Sequence, residues 1–343
     1  MSESNKILLI YTGGTIGMVM SVESKALKPF DFGSLKDTIP ELEHIGCTID
    51  FEVLNPIIDS SNMSPAVWSK LARMIRDRYN DYDGFVILHG SDTMSYTASA
   101  LSFMFENLEK PIILTGSQLP IGITRTDAKE NLITSIEIAA RRDYKNRPMV
   151  PEVAVYFEYH LYRGNRTIKQ SASQFEAFAS PNFPALAEAG VELVFQSSII
   201  RKPRKKEVHL NDSFDNAVVG IRLFPGLGVE QLDHLISVPN IKCVVLETYG
   251  SGNASTDKAF LAVLQKAFKK GIHLVNVTQC SSGRVQMGRY EASEELLKIG
   301  MINGKDITFE AAITKAMYLL GQGWNKRSFK SRFEQNLRGE LTP

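Results

Sequence analysis

Three short apolar runs in this chain each stop at a glycine beside a serine or threonine. Lys6-Ile7-Leu8-Leu9-Ile10-Tyr11 runs into Thr12-Gly13-Gly14-Thr15-Ile16-Gly17. Gly84-Phe85-Val86-Ile87-Leu88 runs into His89-Gly90-Ser91-Asp92-Thr93, and residues 111–114 run into Thr115-Gly116-Ser117-Gln118. Short apolar runs bounded by glycine have the pattern of buried strands. Where such strands alternate with helical segments the sheet must be mainly parallel, so their polar C-terminal turns gather along one edge. Ligands of open α/β sheets bind at that edge. Two threonines bracketed by glycines there suggest either an anion cradle or a nucleophile.

The surrounding pattern extends this reading. Residues 18–36 mix Ser, Lys, Pro and Gly without periodicity, which suits a mobile lid or an ordinary surface loop. A strand over 49–54 leads into Asp59-Ser60-Ser61-Asn62. Ser64 and Pro65 read as N-cap and first residue of a helix to about 79, with Val67, Leu71 and Ile75 on one face. Helices over 94–107 and 126–141 and a strand over 153–157 come next, then a polar stretch over 162–174. Trp68 and Trp324 are expected to pack on helices. The composition changes at Arg201-Lys202-Pro203-Arg204-Lys205-Lys206-Glu207, which reads as a solvated interdomain linker, with a nuclear-localisation or anion patch as the other reading. Beyond it lies a second, smaller set: strands 217–223, 243–247 and 272–277, a helix over 257–270 and helices near 293 and 308. A length of 343 residues implies about two domains. The boundaries drawn are 1–197, a linker over 198–216, and 217–343.

Composition narrows the classes of function. A formal net charge of +1 supplies no electrostatic argument for nucleic acid or an acidic membrane surface. Cys47, Cys243 and Cys280 lie far apart with no metal-ligand spacing and read as reduced thiols. Residues 1–6 lack an apolar signal region, and no apolar run reaches the length of about 18 residues that a membrane span needs. The expectation is a cytoplasmic protein with no membrane partner.

The residues after its glycines narrow the chemistry of the first turn. A Walker phosphate loop needs Lys-Ser/Thr after the last glycine, but Gly17 is succeeded by Met18-Val19. The dinucleotide fingerprint G-x-G-x-x-G is not met by Gly13-Gly14-Thr15-Ile16-Gly17. The remaining reading is a hydroxyl nucleophile, which needs a base and donors for an oxyanion. Asp92, Tyr11 and Lys169 are the candidate activators. Histidines are sparse, and only His89 falls near this edge, where it reads as a structural hydrogen-bonding group. A Thr-Lys-Asp arrangement therefore fits better than Ser-His-Asp. Each residue also has a plainer reading: Thr15 as a helix cap, Ser91 and Asp92 as a turn with an N-cap, and Lys169 as a solvated charge.

Thr12-Gly13-Gly14-Thr15-Ile16-Gly17 taken with His89-Gly90-Ser91-Asp92-Thr93 resembles the paired signature of the bacterial-type L-asparaginases. Further segments are similar to the cytoplasmic type I branch: Asp59-Ser60-Ser61, Tyr82-Asp83-Gly84-Phe85, Tyr96-Thr97-Ala98-Ser99-Ala100-Leu101-Ser102 and Thr115-Gly116-Ser117-Gln118. So are Leu161-Tyr162-Arg163-Gly164-Asn165-Arg166-Thr167, Ala177-Phe178-Ala179-Ser180-Pro181-Asn182 and Gln335-Asn336-Leu337-Arg338-Gly339-Glu340-Leu341. The resemblance runs end to end. It implies an α/β fold with a larger, mainly parallel N-terminal domain and a smaller Rossmann-like C-terminal domain. It implies that L-asparagine is hydrolysed by double displacement with water, and that no cofactor or metal takes part. Thr15 matches the nucleophile, Ser91 and Asp92 the second catalytic turn, and Lys169 the triad lysine. Asp92 would also hold the substrate's α-ammonium, Asp59, Ser60 and Ser61 its α-carboxylate, and the Ser117 carbonyl the leaving amide. Backbone N–H groups at Thr15 and Ser91 would face the oxyanion. The family forms homo-oligomers, either dimers or dimers of dimers.

Three departures stand out. Ser91 occupies a position usually held by threonine. The 18–36 segment lacks the tyrosine that many members place there, and Tyr290 in Met287-Gly288-Arg289-Tyr290 is the expected substitute. Relatives activated by asparagine carry a threonine before the triad lysine, an arginine and a cysteine, where this chain has Ile168, Glu247 and Cys280. Weak or absent cooperativity is the expectation. The rival readings are the asparaginase-like subunit of a tRNA-dependent amidotransferase and a non-catalytic amino-acid sensor. The first strand starting at residue 6 and the intact hydroxyl–lysine set count against them.

Overall fold

The computed structural model describes residues 5–20, 27–29, 39–203, 206–288 and 291–343. The chain divides into two compact units, Met1–Asp212 and Ser213–Pro343.

The first unit is built on an eight-stranded sheet. Its strands, in chain order, are β1 (Lys6–Tyr11), β2 (Thr48–Val53), β3 (Gly84–Leu88), β4 (Ile112–Thr115), β5 (Val153–Phe157), β6 (His160–Arg163), β7 (Ala187–Ala189) and β8 (Leu193–Phe195). In space they run β8-β7-β6-β5-β4-β3-β1-β2. From β2 to β5 every pairing is parallel. The central strands β3, β4 and β5 are buried throughout, as continuous apolar runs require when both faces are covered. Edge strand β2, Thr-Ile-Asp-Phe-Glu-Val, alternates instead between exposed and half-buried along its first four residues. Beyond β5 the sheet turns antiparallel. The β5–β6 hairpin turns on Glu158 and Tyr159, both at positive φ.

Three helices complete this unit: α1 (Pro65–Asp77), α2 (Met94–Met104) and α3 (Ala128–Ala140). α1 buries Trp68, Leu71, Ala72 and Ile75, the i, i+3, i+4, i+7 stripe of an amphipathic helix. α2 is buried on nearly every side and packs on α1 and β5, while α3 packs across β1, β3, β4 and β5. α2 is three residues shorter than the sequence suggested. At Phe105–Glu106 the chain pairs antiparallel with His209–Leu210, and Asn107 takes a φ of 55° that no helix continues through. That pairing also ties part of the expected linker to the first unit.

The second unit holds a four-stranded parallel sheet: β9 (Val218–Arg222), β10 (Cys243–Thr248), β11 (His273–Thr278) and β12 (Ile302–Asn303). Around it run α4 (Val229–Ile236), α5 (Lys258–Lys269), α6 (Glu291–Ile299), α7 (Phe309–Gly321) and α8 (Lys326–Phe333). Asp257 caps α5 by accepting from the N–H groups of Ala259 and Phe260. The C-terminal segment is anchored on a fully buried ion pair. Glu340 accepts from Lys315 Nζ and from the N–H groups of Leu337 and Arg338, and Lys315 also donates to the carbonyls of Phe333 and Gln335. Trp324 is not on a helix: it lies between α7 and α8, 40% exposed, with the guanidinium of Arg332 from α8 over its ring. Among the described residues no helix is long and apolar enough to cross a membrane.

Candidate active site

Because β1, β2, β3 and β4 run parallel, the turns at their C-terminal ends emerge at one edge of the first sheet. They are stitched together by backbone bonds. Thr12 N–H and its hydroxyl donate to the Leu88 carbonyl, Ile58 N–H donates to the Thr12 carbonyl, and His89 N–H donates to that of Thr115. The Thr93 hydroxyl donates to the Ser60 carbonyl at 2.7 Å.

Contact between the first and third of these turns depends on two glycines. Gly14 sits at φ 90°, and a Cβ there would come within 2.5 Å of both N and Cα of Gly90. Gly90 meets Ser60 just as closely: a Cβ on Gly90 would stand 2.5 Å from Ser60 Oγ. Only glycine allows backbones to approach this far and takes positive φ freely. Thr15 and Ser91 are therefore the residues next in sequence to two glycines in direct contact.

Thr15 is the first residue of a single 3-10 turn, Thr15–Gly17, and the cap position belongs to Gly14. The plainer reading of Thr15 as a cap is thus set aside. The turn is braced from below by Tyr11, whose buried hydroxyl lies 3.3 Å from the carbonyls of both Gly14 and Gly17. Burial pushes the Tyr11 phenol up to about 12, so it stays protonated and serves the backbone. Ser91 opens a second 3-10 turn, Ser91–Thr93, in which no side chain caps the helix either. The N–H groups of Thr15 and Ser91 donate to no group among the described residues.

Lys169 reaches this turn from a two-residue strand, Ile168–Lys169, paired antiparallel with Phe178–Ala179. Its ammonium donates to Ser91 Oγ at 2.9 Å and to Asp92 Oδ1 at 2.6 Å. The Lys169 side chain is 18% exposed and that of Asp92 67%. Lys169 is no free surface charge: it joins the hydroxyl and carboxylate that sequence reasoning set beside it.

The turn after β2 carries Asp59, Ser60 and Ser61. Asp59 Oδ1 accepts from both the N–H and the hydroxyl of Ser61, and these bonds hold its carboxyl below the usual range. Both Ser61 donors are thus engaged by Asp59, while buried Ser60 faces Gly90. After β4, the Ser117 hydroxyl donates to the Leu119 carbonyl within its own turn.

Sequence reasoning missed the groups that brace these turns. Buried Asp127 accepts from the N–H groups of Gln118 and Leu119. Buried Asn131, one helical turn later, donates to the Gly116 carbonyl and accepts from Glu158 N–H. Their signal was two polar residues four apart on an apolar helix face. Tyr290 and most of the expected lid, residues 21–26 and 30–36, lie outside the described residues. The described lid residues, Met18–Met20 and Leu27–Pro29, pair antiparallel. Among the described residues no group of three or more His, Cys, Asp or Glu side chains is arranged to hold a metal ion.

Comparison with known proteins reproduces the same two-unit division. A family model described as the N-terminal part of asparaginase matches residues 6–201, and one described as the glutaminase/asparaginase C-terminal domain matches residues 217–333. L-asparaginase 1 of Escherichia coli K12 is 42% identical over 343 residues, spanning 99% of each chain. The crystal structure of L-asparaginase I from Vibrio cholerae aligns with a TM-score of 0.90 at 38% identity, covering 99% of this chain and 100% of that one. The thermostable L-asparaginase from Thermococcus kodakarensis aligns with a TM-score of 0.88 at 32% identity, covering 98% and 99%.

Proposed function

The chain belongs to the asparaginase family, and on that premise we propose that it hydrolyses L-asparagine to L-aspartate and ammonia through a threonyl ester. One observation carries the assignment. Lys169 bonds at once to Ser91 and Asp92, on a turn in backbone contact with the turn that bears Thr15.

Thr15 attacks the side-chain amide carbon of the substrate. A bond forms from Thr15 Oγ1 to that carbon, while the hydroxyl proton passes through Ser91 to Lys169 as the ammonium gives up one of its own to the leaving nitrogen. The C–N bond breaks and ammonia departs, leaving a β-aspartyl ester. Water then adds to the ester carbon, the C–O bond to Thr15 breaks, and the hydroxyl is restored. A lysine near a hydroxyl gives its proton a route, and positioned acid–base groups of this kind typically accelerate such steps by about 10²–10⁴. The N–H groups of Thr15 and Ser91 serve the oxyanion.

Asp92 holds the substrate's α-ammonium, Ser60 and the backbone between Asp59 and Ser61 hold its α-carboxylate, and the Ser117 carbonyl accepts from the leaving amide. Tyr290 assists Thr15 in place of the missing lid tyrosine, and unchanged turnover in Tyr290→Phe would exclude it. The protein works in the cytoplasm as a homo-oligomer, a dimer or a dimer of dimers, without cofactor, nucleic acid or membrane. Among the described residues Cys47, Cys243 and Cys280 form no disulfide, which agrees with a reducing compartment. The decisive assay is ammonia release from free asparagine, repeated with Thr15→Ala. Activity that survives the substitution would sink the nucleophile assignment.

A further inference from the structure

Behind the Ser91 turn runs a chain of hydrogen bonds among three side chains that take no part in the chemistry above. Trp68 on α1 directs its indole nitrogen to Thr97 Oγ1 at 3.0 Å. Thr97 on α2 lies 2.9 Å from His89 Nε2, and His89 Nδ1 lies 2.6 Å from the carbonyl oxygen of Gly90. Trp68 is 5% exposed, and Thr97 and His89 are fully buried.

The two ends dictate the direction of the chain. An indole N–H can only donate and a carbonyl oxygen can only accept. Nδ1 must therefore carry the imidazole proton, Nε2 must accept, and the Thr97 hydroxyl must donate to it while accepting from Trp68. Burial also pushes His89 down to about 4, which keeps the ring neutral and this tautomer intact near neutral pH. His89 is in turn pinned to the sheet by its own N–H on the Thr115 carbonyl.

The carbonyl that receives the last bond belongs to the peptide linking Gly90 to Ser91. A peptide unit is planar and trans, so its C=O and N–H point in opposite directions. Holding the Gly90 carbonyl on the imidazole side therefore aims the Ser91 N–H away from it. Gly90 has no side chain to set this orientation itself. We propose that His89, held by Thr97 and Trp68, is a positioning residue that aims the Ser91 N–H at the oxyanion and fixes the Ser91 hydroxyl for Lys169. The inference rests on the reading of Thr15 and Ser91 as an acyl-transfer site.

Two measurements test it. Side-chain ¹⁵N spectra of the whole protein should show His89 with a protonated Nδ1 and a bare Nε2 from about pH 5.5 to about pH 8. A proton on Nε2 would overturn the chain, whatever the protein's activity. In steady-state kinetics, His89→Leu should lower kcat by about 100-fold with KM within a factor of about three. His89→Asn, whose amide N–H can replace Nδ1–H, should recover kcat to within about tenfold of the parent. An Asn variant as impaired as the Leu variant, or a Leu variant with parental kcat, would refute the positioning role. Should His89→Leu fail to fold, Trp68→Phe removes only the first donor, and it should lower kcat several-fold at constant KM. Parental kcat in Trp68→Phe counts against the chain. A parent protein that releases no ammonia from asparagine would instead reject the functional reading, and the ring spectrum would still decide the hydrogen-bond chain.

Discussion

Lys169 donates from its ammonium to the Ser91 hydroxyl across 2.9 Å, although the two residues are 78 positions apart in sequence. The same nitrogen bonds Asp92, whose side chain is 67% exposed. With one partner largely solvated, the pair adds about 1 kcal/mol or less to stability. Lys169→Met should therefore leave urea unfolding nearly unchanged while lowering kcat by about 10²–10⁴. A variant that loses stability and keeps its turnover would reverse that assignment.

Ser91 offers a finer test, because a hydroxyl without a methyl stands at this position. Ser91→Ala leaves Lys169 with Asp92 alone and should cost about 100-fold in kcat or more. Ser91→Thr keeps the oxygen and restricts χ1 through β-branching, so it should match or exceed the parent. Equal losses in both variants would mean that shape at this position, and not the hydroxyl, governs rate.

The contact between Gly14 and Gly90 is equally open to test. Gly14→Ala places a methyl 2.5 Å from the Gly90 backbone and forces alanine to φ 90°. The conformational part alone costs about 1–3 kcal/mol, and relief requires the two turns to separate. Displacement by about 1 Å between reacting groups can cost 10²-fold in rate, so turnover should fall at least that far while circular dichroism stays close to the parent. Near-parental turnover would show that the turns tolerate separation.

These residues also mark how far the sequence could be read. Strands β1, β3 and β4 were legible because both of their faces are buried, so apolar residues run unbroken until a glycine stops them. Their alignment along one edge came from alternation with helices. The β5–β6 hairpin was not legible. Its turn residues, Glu158 and Tyr159, are poor candidates for positive φ, and Glu158 N–H is held by Asn131 from a helix 27 residues away. The end of α2 was misjudged because its last residues join a strand from a hundred residues further on. Trp324 was expected on a helix, whereas it lies exposed between two helices beside Arg332. A threonine nucleophile with Lys169 and Asp92 came from the residues themselves, and the resemblance singled out Thr15 and added Ser91. Their bracing by Tyr11, Asp127, Asn131 and His89 consists of side chain–backbone bonds, of which only the i, i+4 spacing of Asp127 and Asn131 leaves a trace in the sequence.

Acid should expose one of these braces. His89 in the unfolded chain takes up a proton near 6.5, whereas burial delays uptake in the folded chain to about 4. Between those values the unfolded state binds more protons, so stability rises with pH. The contribution is complete above about pH 6.5 and is lost as pH falls toward about 4, amounting to about 3 kcal/mol. The Tm should therefore drop across this window, and His89→Asn, which cannot titrate, should show a shallower dependence. Identical slopes for parent and variant would remove His89 from the acid response.

Regulation by substrate provides the last test. In asparaginases activated by asparagine, the resemblance assigns a threonine, an arginine and a cysteine to the regulatory set, and this chain has Ile168, Glu247 and Cys280 there. Glu247 lies on β10 with its side chain mostly buried, 3.8 Å from Arg222 Nη1, and its burial raises the carboxyl above its ordinary range. Its carbonyl is also occupied, accepting from Gln279 Nε2. An arginine at this position could clamp a ligand carboxylate with two parallel bonds, whereas a carboxylate repels it when ionised and offers a single donor when protonated. Ile168 supplies no hydroxyl to compensate. With no differential affinity at a second site, asparagine has nothing through which to shift a conformational equilibrium. The rate should rise hyperbolically with asparagine concentration, with a Hill coefficient near one, and a sigmoidal curve from the purified protein would contradict this.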